Sequence, residues 1–590
     1  MQTSPDAAYA EIDFPGTASS SERLTAVFAG AQRLLTAASA AAVPGVLDEA
    51  EYWARAGHWV LGFVAYEAAP AFDHALHTHA APPDGMPYAL FAVFGAPAAM
   101  PRGRQEYLCG AWRDATPRAD FDASVQHIRD GIAAGDFYQV NYTTRLRAPF
   151  FGDSLAFFDG LRASQAEAYC TYLNIGKWAV CSVSPELFFD WSGGQDAAGL
   201  RPLVCRPMKG TAARHSDPGR DQAAAAALRQ SPKERAENLM IVDLMRNDLS
   251  RIANRGTVKA DELFSIEAWP TVWQMTSTVR CETAPGARLR DVFHALFPCG
   301  SVTGAPKAAA MSAIRTLEPA ARGLYCGATG ALMPGGDAVF SVGIRTAVVN
   351  AAAHAAECGI GSGITFDSAP DPEYAEWLAK QAFLRQASPE YELLETLRLH
   401  QGRYWLLRGH LARLARSARA LDFDFNAEGL GERLRAVARQ YPSGHWRARL
   451  RVSANGAAAI DVLPLDALPA APRFALATAP VTSGDPWLRH KTTRRERYAQ
   501  LSSREAGIFD TLLHNERGEL TEFTRGNLVV EKDGRLLTPH AECGLLPGVL
   551  RAALLARGRI AEEILRQEDL AHARRIWFIN SVRGAVPLLQ

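Results

Sequence analysis

The sequence predicts a mixed α/β (α+β) fold in two successive units. Three observations carry that expectation. At 590 residues the chain is too long for one ordinary hydrophobic core. From about residue 120 to 385, strand-like and helix-like stretches alternate. Near residue 388 the pattern restarts with a strand, a tight turn, a second strand and an amphipathic helix. The expected division is 1–115 as the N-terminal part of the first unit, 116–387 as its main part, and 388–590 as the second unit.

In chain order, "HWVLGFVAYEA" (58–68) and "YALFAVFGA" (88–96) are apolar runs of strand length. "AVCSVSPELFFDW" (179–191) and "AVFSVGIRTAVV" (338–349) each predict a strand. Helices are expected over 234–253, 305–319 and 372–387, with Pro306 suited to a first helical turn. In the second unit "HQGR" marks the tight turn, and "GELTEFTRGNLVVEKDGRLLTP" (518–539) predicts two strands around "KDGR".

Composition narrows the function. Lysine plus arginine equals aspartate plus glutamate at 63 each, so no global field recruits nucleic acid or an anionic membrane. An anionic substrate must be gripped by local positive groups. The nine cysteines are scattered, with no CxxC pair, which argues against a disulfide framework or a zinc site. The first residues are acidic without an apolar segment, and no window has the roughly 18 apolar residues of a membrane span. A cytoplasmic protein is expected.

The first unit offers several candidate groups. Glu234 and Glu237 are three apart on a predicted helix, and Glu373 and Glu376 repeat the spacing on another. Such carboxylates either bind one Mg²⁺ together with an anionic substrate or are solvated helix faces. "CGIGSGITFDS" carries Gly359, Gly361 and Gly363, but they alternate and no helix follows directly, so a dinucleotide site is not expected. Their backbone amides could hold a carboxylate instead. "GSVTGAPK" (300–307) imitates a P-loop without its ending. Arg345, inside an apolar run, needs an anionic partner, either a structural carboxylate or a substrate.

The ordered set "FYQVNYT", "SPELFF", "RPMKGT", "ENLMIVDLMRNDL", "GSVTGAPK", "YCGATG" and "GIGSGITFDS…EYAE" resembles the chorismate-utilising enzymes over roughly residues 50–385. These include the large subunits of anthranilate and aminodeoxychorismate synthases and the isochorismate synthases. The resemblance implies an α/β sandwich of two large antiparallel sheets. It implies Mg²⁺ on Glu237 and Glu376, with Glu373 adjacent. It implies a substrate carboxylate on Arg345 and the Gly361–Ser362–Gly363 amides, with Tyr325 and Thr303 lining the site. Glu186 resembles the general acid for the departing hydroxyl, which needs a raised pKa. Gln139 stands where isochorismate-forming relatives carry a lysine base, which disfavours water as the nucleophile. Lys209 resembles the aminodeoxychorismate synthases, whereas anthranilate synthases have alanine there. In that subfamily the lysine adds to the ring and ammonia then displaces it. Gln274 stands where several relatives have histidine and is assigned no catalytic role. No glutaminase nucleophile motif is present, so the resemblance implies a separate glutamine amidotransferase subunit.

In the second unit, "LRHKTTRRERYAQ" carries Lys491, "GELTEFTRGNL" carries Glu522, and "RGHLARLARSA" carries Arg413. "GLLPGVLRAALLAR" opens a helix at Pro547 and Gly548, whose free amides suit a phosphate. These parts suit pyridoxal 5'-phosphate. Their order resembles the fold-type IV pyridoxal-phosphate enzymes, which include branched-chain aminotransferases and aminodeoxychorismate lyase. The resemblance makes Lys491 the lysine that binds the cofactor and Glu522 the partner of its pyridine nitrogen. Arg413 with the Gly548 and Val549 amides would hold the phosphate. Ser581 of "NSVRG" resembles a substrate-side residue. The two resemblances together imply a bifunctional route from chorismate and ammonia to 4-aminobenzoate, the folate precursor. The alternatives are an anthranilate- or isochorismate-forming synthase joined to an aminotransferase, or a second half that is a non-catalytic scaffold. A homodimer through the second unit is also expected.

Overall fold

The computed structural model describes residues 5–16, 22–98, 105–165, 167–194, 198–269, 272–388 and 390–589. They fall into two compact units. The first comprises Met1–Arg104, Trp112–Arg147 and Ser154–Ser388; the second comprises Gln105–Ala111, Ala148–Asp153 and Pro389–Gln590.

Two large sheets build the first unit. One runs in the order Gly304–Ala305, Gln139–Gly152, Ala355–Ile364, Thr346–Asn350, Trp178–Ser184, Tyr169–Asn174, Tyr9–Phe14, Leu24–Ala29. The other runs Met208–Ala213, Val272–Thr283, Arg201–Arg206, Leu187–Trp191, Ala338–Val342, Ala328–Leu332, Trp59–Val64, Ala89–Phe94, Arg33–Ala37. Phe14, Phe28 and Leu173 of the first sheet share one buried cluster with Leu61, Phe63 and Phe94 of the second. Each such fully buried side chain contributes about 1.5–3 kcal/mol. A second cluster lies under the helices Val43–Arg55, Pro232–Ser250 and Leu289–Leu296.

Two strands expected to be continuous are each divided, and the break carries a candidate residue. "AVCSVSPELFFDW" forms Trp178–Ser184 in the first sheet and Leu187–Trp191 in the second. Pro185 between them has no N–H for a ladder, so Glu186 sits at the crossover. "AVFSVGIRTAVV" likewise forms Ala338–Val342 in the second sheet and Thr346–Asn350 in the first, with Arg345 at φ 46° between them. The two crossovers are tied together. Val342 N donates to the Glu186 carbonyl at 3.1 Å, and Val183 N to the Arg345 carbonyl at 3.1 Å. The helix expected over 372–387 is also two, Pro370–Lys380 and Ala382–Ala387.

The second unit has a four-stranded antiparallel sheet ordered Arg403–Tyr404, Leu393–His400, His445–Val452, Ala458–Pro464. Helix Leu407–Leu421 covers it through Leu414, Ala418 and Leu421. An eight-stranded mixed sheet includes Ile508–His514, Leu520–Phe523, Gly526–Lys532 and Arg535–Pro539. The "KDGR" hairpin forms with Asp533 at φ 51° and Gly534 at φ 72°, the left-handed pair a two-residue turn requires. One more strand than expected, Leu520–Phe523, precedes it and carries Glu522. Among the described residues no helix is long and apolar enough to cross a membrane.

Candidate functional site

One strand organises the first unit's candidate residues. Ala355–Ile364 is extended, so Gly359, Gly361 and Gly363 point to one face. A Cβ at Gly359 would enter the Tyr325 ring, and one at Gly361 would meet Thr143. One at Gly363 would collide with Gln139 Nε2 and lie 3.2 Å from Lys209 Nζ. The alternating glycines therefore answer close approach, and they set Tyr325, Gln139 and Lys209 along one strand face. Ser362 points the other way, where its hydroxyl accepts from Trp377 Nε1 at 3.2 Å.

Lys209 belongs to the strand Met208–Ala213 and is half-buried. The carboxyls of Glu186, Glu234, Glu237 and Glu376 all feel its charge. Glu186 is 3% exposed, and its Oε1 has no hydrogen-bond partner among the described residues. Burial pushes its carboxyl up to about 7, against the Ser301 hydroxyl and the Lys209 charge, which pull it down. A buried carboxyl that keeps its proton near neutrality is what a general acid needs. Ser301 is a residue the sequence reading missed. Its hydroxyl also lies 3.2 Å from Cys299 Sγ, so it links a thiol to the acid. A lone serine between glycine and valine carries no signal of that kind.

Glu237 lies on helix Pro232–Ser250, and Glu373 and Glu376 lie on helix Pro370–Lys380. Burial raises the carboxyls of Glu234 and Glu237, and the nearby Glu373 charge adds to both, so the carboxyls of the two helices feel one another. Glu373 Oε1 accepts from Ser368 at 2.7 Å, while its buried Oε2 has no partner among the described residues. Glu376 pairs with Lys380 at 2.6 Å and Glu237 with Lys233 at 3.8 Å. Among the described residues no three metal-ligating side chains approach to ligand spacing. Hard oxygen donors from two helices, one of them an orphaned buried atom, fit Mg²⁺ in kind.

Arg345 is half-buried; its guanidinium donates to Gln165, and no carboxylate pairs with it among the described residues. Burial lowers it to about 10. The structural-ion-pair alternative for Arg345 thus has no partner among the described residues. Tyr325 is buried, with the Arg145 guanidinium 5.1 Å from its ring centre. Thr303 is fully buried and donates its hydroxyl to the carbonyls of Cys299 and Gly300, both at 3.2 Å. It shapes the segment beside Gln139–Asn141 through its carbonyl, which accepts from Asn141 N at 2.8 Å. Lys307 pairs with Asp248 at 2.8 Å, so "GAPK" offers no phosphate grip.

In the second unit the candidate residues converge from four elements. Lys491 follows a short 3-10 turn, Glu522 sits on Leu520–Phe523, Arg413 on Leu407–Leu421, and Gly548 caps helix Val549–Ala556. Burial lowers the Lys491 amine to about 7, helped by Arg495 and Arg413. Burial raises Glu522 to about 7, opposed by Tyr498, whose hydroxyl donates to it at 2.8 Å. Asn527 Nδ2 binds the Leu546 carbonyl at 2.9 Å, and a Cβ at Gly548 would strike Asn527 Oδ1. That contact fixes the helix start beside Glu522. Arg413 Nη1 reaches the Pro547 carbonyl at 3.5 Å, next to that helix start. Its Nε and Nη2 are held by Glu395 at 2.8 and 2.6 Å. His410 Nδ1 shares Glu395 at 2.6 Å, and its buried Nε2 has no partner among the described residues. The set fits pyridoxal phosphate: a near-neutral amine, a buried carboxyl, and an arginine at a glycine-opened helix start. Ser581 is buried in the turn after Arg575–Asn580 and makes no hydrogen bond to these residues among the described ones. Glu395, His410, Tyr498 and Asn527 went unread in the sequence because each acts through a partner distant along the chain.

Comparison with known proteins agrees with this division. Residues 106–386 match the chorismate binding enzyme family, and residues 392–590 match amino-transferase class IV. The aminodeoxychorismate synthase component 1 of Salmonella typhimurium is 38% identical over 273 residues, 46% of this chain and 58% of that protein. The anthranilate synthase component 1 of Streptomyces coelicolor is also 38% identical, over 270 residues, 46% of this chain and 51% of that protein. The chain thus spans little more than half the length of these relatives. The crystal structure of anthranilate synthase component I from Streptococcus pneumoniae superposes with a TM-score of 0.51 at 23% identity. It covers 64% of this chain and 90% of that one, and it shares the fold. The chain therefore joins a segment similar to the chorismate binding enzyme family, over residues 106–386, to a segment similar to the amino-transferase class IV family, over residues 392–590.

Proposed function

We propose that the chain is a bifunctional enzyme that makes 4-aminobenzoate from chorismate and ammonia. The first unit aminates chorismate to 4-amino-4-deoxychorismate, and the second removes pyruvate. The observation that supports this most directly is Lys209, whose Nζ lies over the Gly363 strand face beside Gln139 and whose charge reaches Glu186. Two relatives of equal identity bear the names of sister synthases, so overall likeness cannot choose between them. The lysine does.

In this reading Glu186 delivers its proton to the ring hydroxyl, which leaves as water. Lys209 Nζ forms a C–N bond to the ring. Ammonia then adds, the lysine amine departs, and the ammonium proton returns to Glu186. Glu237, Glu373 and Glu376 would hold Mg²⁺, which neutralises a substrate carboxylate. Arg345 takes the other carboxylate, and Gln139 offers no base to water. Ammonia comes from a separate glutamine amidotransferase. In the second unit Lys491 would hold pyridoxal phosphate, Glu522 would meet its ring nitrogen, and Arg413 with the Gly548 and Val549 amides would meet its phosphate. When bound, that group supplies an electron sink. Lys491 Nζ takes the ring proton and returns one to the departing enolate carbon, so pyruvate leaves and the ring becomes aromatic.

The test is to incubate the full chain with chorismate, Mg²⁺, an ammonium salt and pyridoxal phosphate, and to identify the aromatic product. 4-Aminobenzoate is expected; anthranilate, or no aromatic product, refutes the reading. Chelating Mg²⁺ is expected to stop chorismate consumption while conversion of supplied aminodeoxychorismate continues.

Glu186 also sets a pH dependence. The group must be protonated to act and titrates at about 7. At constant free ammonia, the rate advantage of the parent over Glu186→Gln is expected to shrink as pH rises through about 7, a ratio in which the ionisation of the attacking lysine cancels. A ratio that is flat or rising from pH 6 to about 8 counts against Glu186 as the acid.

A further inference from the structure

We infer that Gln274 is a positioning residue for Lys209: its buried carboxamide closes the β-bulge that carries the lysine. The inference rests on the role proposed for Lys209.

The bulge is explicit in the strand register. Met208 pairs with Thr276 and Thr211 with Gln274, and the register shifts between them. Lys209 and Gly210 therefore face the single residue Met275. Gly210 has φ 91°, a conformation glycine adopts without strain. A Cβ there would also meet Glu234 Oε2 at 3.0 Å.

A bulge leaves a backbone group outside the ladder. Here the Gly210 carbonyl accepts from Gln274 Nε2 at 2.8 Å. Gln274 is itself oriented, because its Oε1 accepts from Thr211 Oγ1 at 3.0 Å. At 8% exposure, water cannot readily replace that amide. The carboxamide thus clasps the C-terminal side of the irregularity, at Gly210 and Thr211. It fixes the Gly210–Thr211 peptide plane, one residue after Lys209, and through the positive-φ glycine it sets the direction in which the lysine leaves the strand. The role proposed for the lysine needs its Nζ held against the Gly363 face, where it lies 3.2 Å from a Cβ built on that glycine.

The test uses the full chain. Gln274→Met keeps the length and loses the amide; Thr211→Val loses the orienting hydroxyl; Thr211→Ser keeps it. Two quantities are read: steady-state amination kinetics, and the rate of reductive methylation of Lys209 relative to Lys233 by peptide mass spectrometry. For Gln274→Met, kcat is expected to fall roughly 10- to 100-fold with KM for chorismate within about twofold. The relative labelling of Lys209 is expected to change about threefold or more. Thr211→Val should move both quantities the same way, and Thr211→Ser should match the parent. Unchanged Lys209 labelling in Gln274→Met overturns the inference. So does a loss of kcat accompanied by a lowered melting temperature and a raised KM. If Gln274→Met does not fold, a parent-like Thr211→Val overturns it. The labelling also separates this inference from the reading beneath it. Full amination by Lys209→Ala would refute the lysine's chemistry, while the labelling would still judge whether Gln274 aims it.

Discussion

Lys209→Ala is expected to lower aminodeoxychorismate formation by about 100-fold or more, which corresponds to roughly 2.7 kcal/mol of lost transition-state stabilisation. The substitution removes the amine that lies over the Gly363 strand face. It leaves the carboxylates that would bind the metal in place, so KM for chorismate should change little. What product remains is expected to shift towards anthranilate, because the sister synthases carry alanine at this position. Alanine also suits the bulge sterically, since Lys209 is not the residue at positive φ; Gly210 is. A folding defect is therefore not expected, and the melting temperature checks it. The effect on the acid has a predictable sign: burial raises the Glu186 carboxyl and the Lys209 charge opposes it, so removing the lysine favours the protonated acid further. Full retained amination at saturating ammonium would refute a covalent role. A raised KM with kcat unchanged would instead make the lysine a substrate-binding group.

Much of the fold was legible because its elements advertise themselves locally. The hairpin at Asp533–Gly534 and the helix Pro232–Ser250 are each written in adjacent residues, a turn pair in one case and a long helical period in the other. The crossovers were not. "AVCSVSPELFFDW" and "AVFSVGIRTAVV" are buried along nearly their whole length, without a regular alternation of apolar and polar residues, so periodicity gives no mark where the chain changes sheet. Pro185 and Gly343 were the only local hints. The consequence reaches the site, since Glu186 and Arg345 are placed by those corners rather than by strand alternation. The glycines of Ala355–Ile364 show the same limit. Their alternation was visible, but its reason is the side chains of Tyr325, Thr143 and Gln139, which come from elsewhere in the chain. The expectation that Arg413 faces a phosphate also missed Glu395, eighteen residues away, which engages two of its three nitrogens. A fork so held is rigid, and rigidity suits an anion site better than a free side chain does.

Lys491→Ala is expected to abolish the second reaction and its optical signature together. Purified chain supplied with pyridoxal phosphate should show an absorbance band near the visible edge, and the substitution should remove it. Conversion of supplied aminodeoxychorismate to 4-aminobenzoate should fall by about 1,000-fold or more, because the residue would both hold the cofactor and move the protons. Amination by the first unit should continue, so aminodeoxychorismate accumulates. The pH behaviour follows from burial. A lysine amine ordinarily charges below about 10.5, but here it is lowered to about 7, so the neutral, nucleophilic form predominates above neutrality. Attachment of the cofactor to apo protein should therefore quicken as pH rises through about 7 and level off above it. Glu522 titrates in the same range, and Tyr498 donates to it at 2.8 Å. Tyr498→Phe should consequently shift the band while leaving attachment intact, which separates the carboxyl from the lysine. Absence of any band at saturating cofactor would make the second unit a scaffold, and 4-aminobenzoate formation would then need another protein.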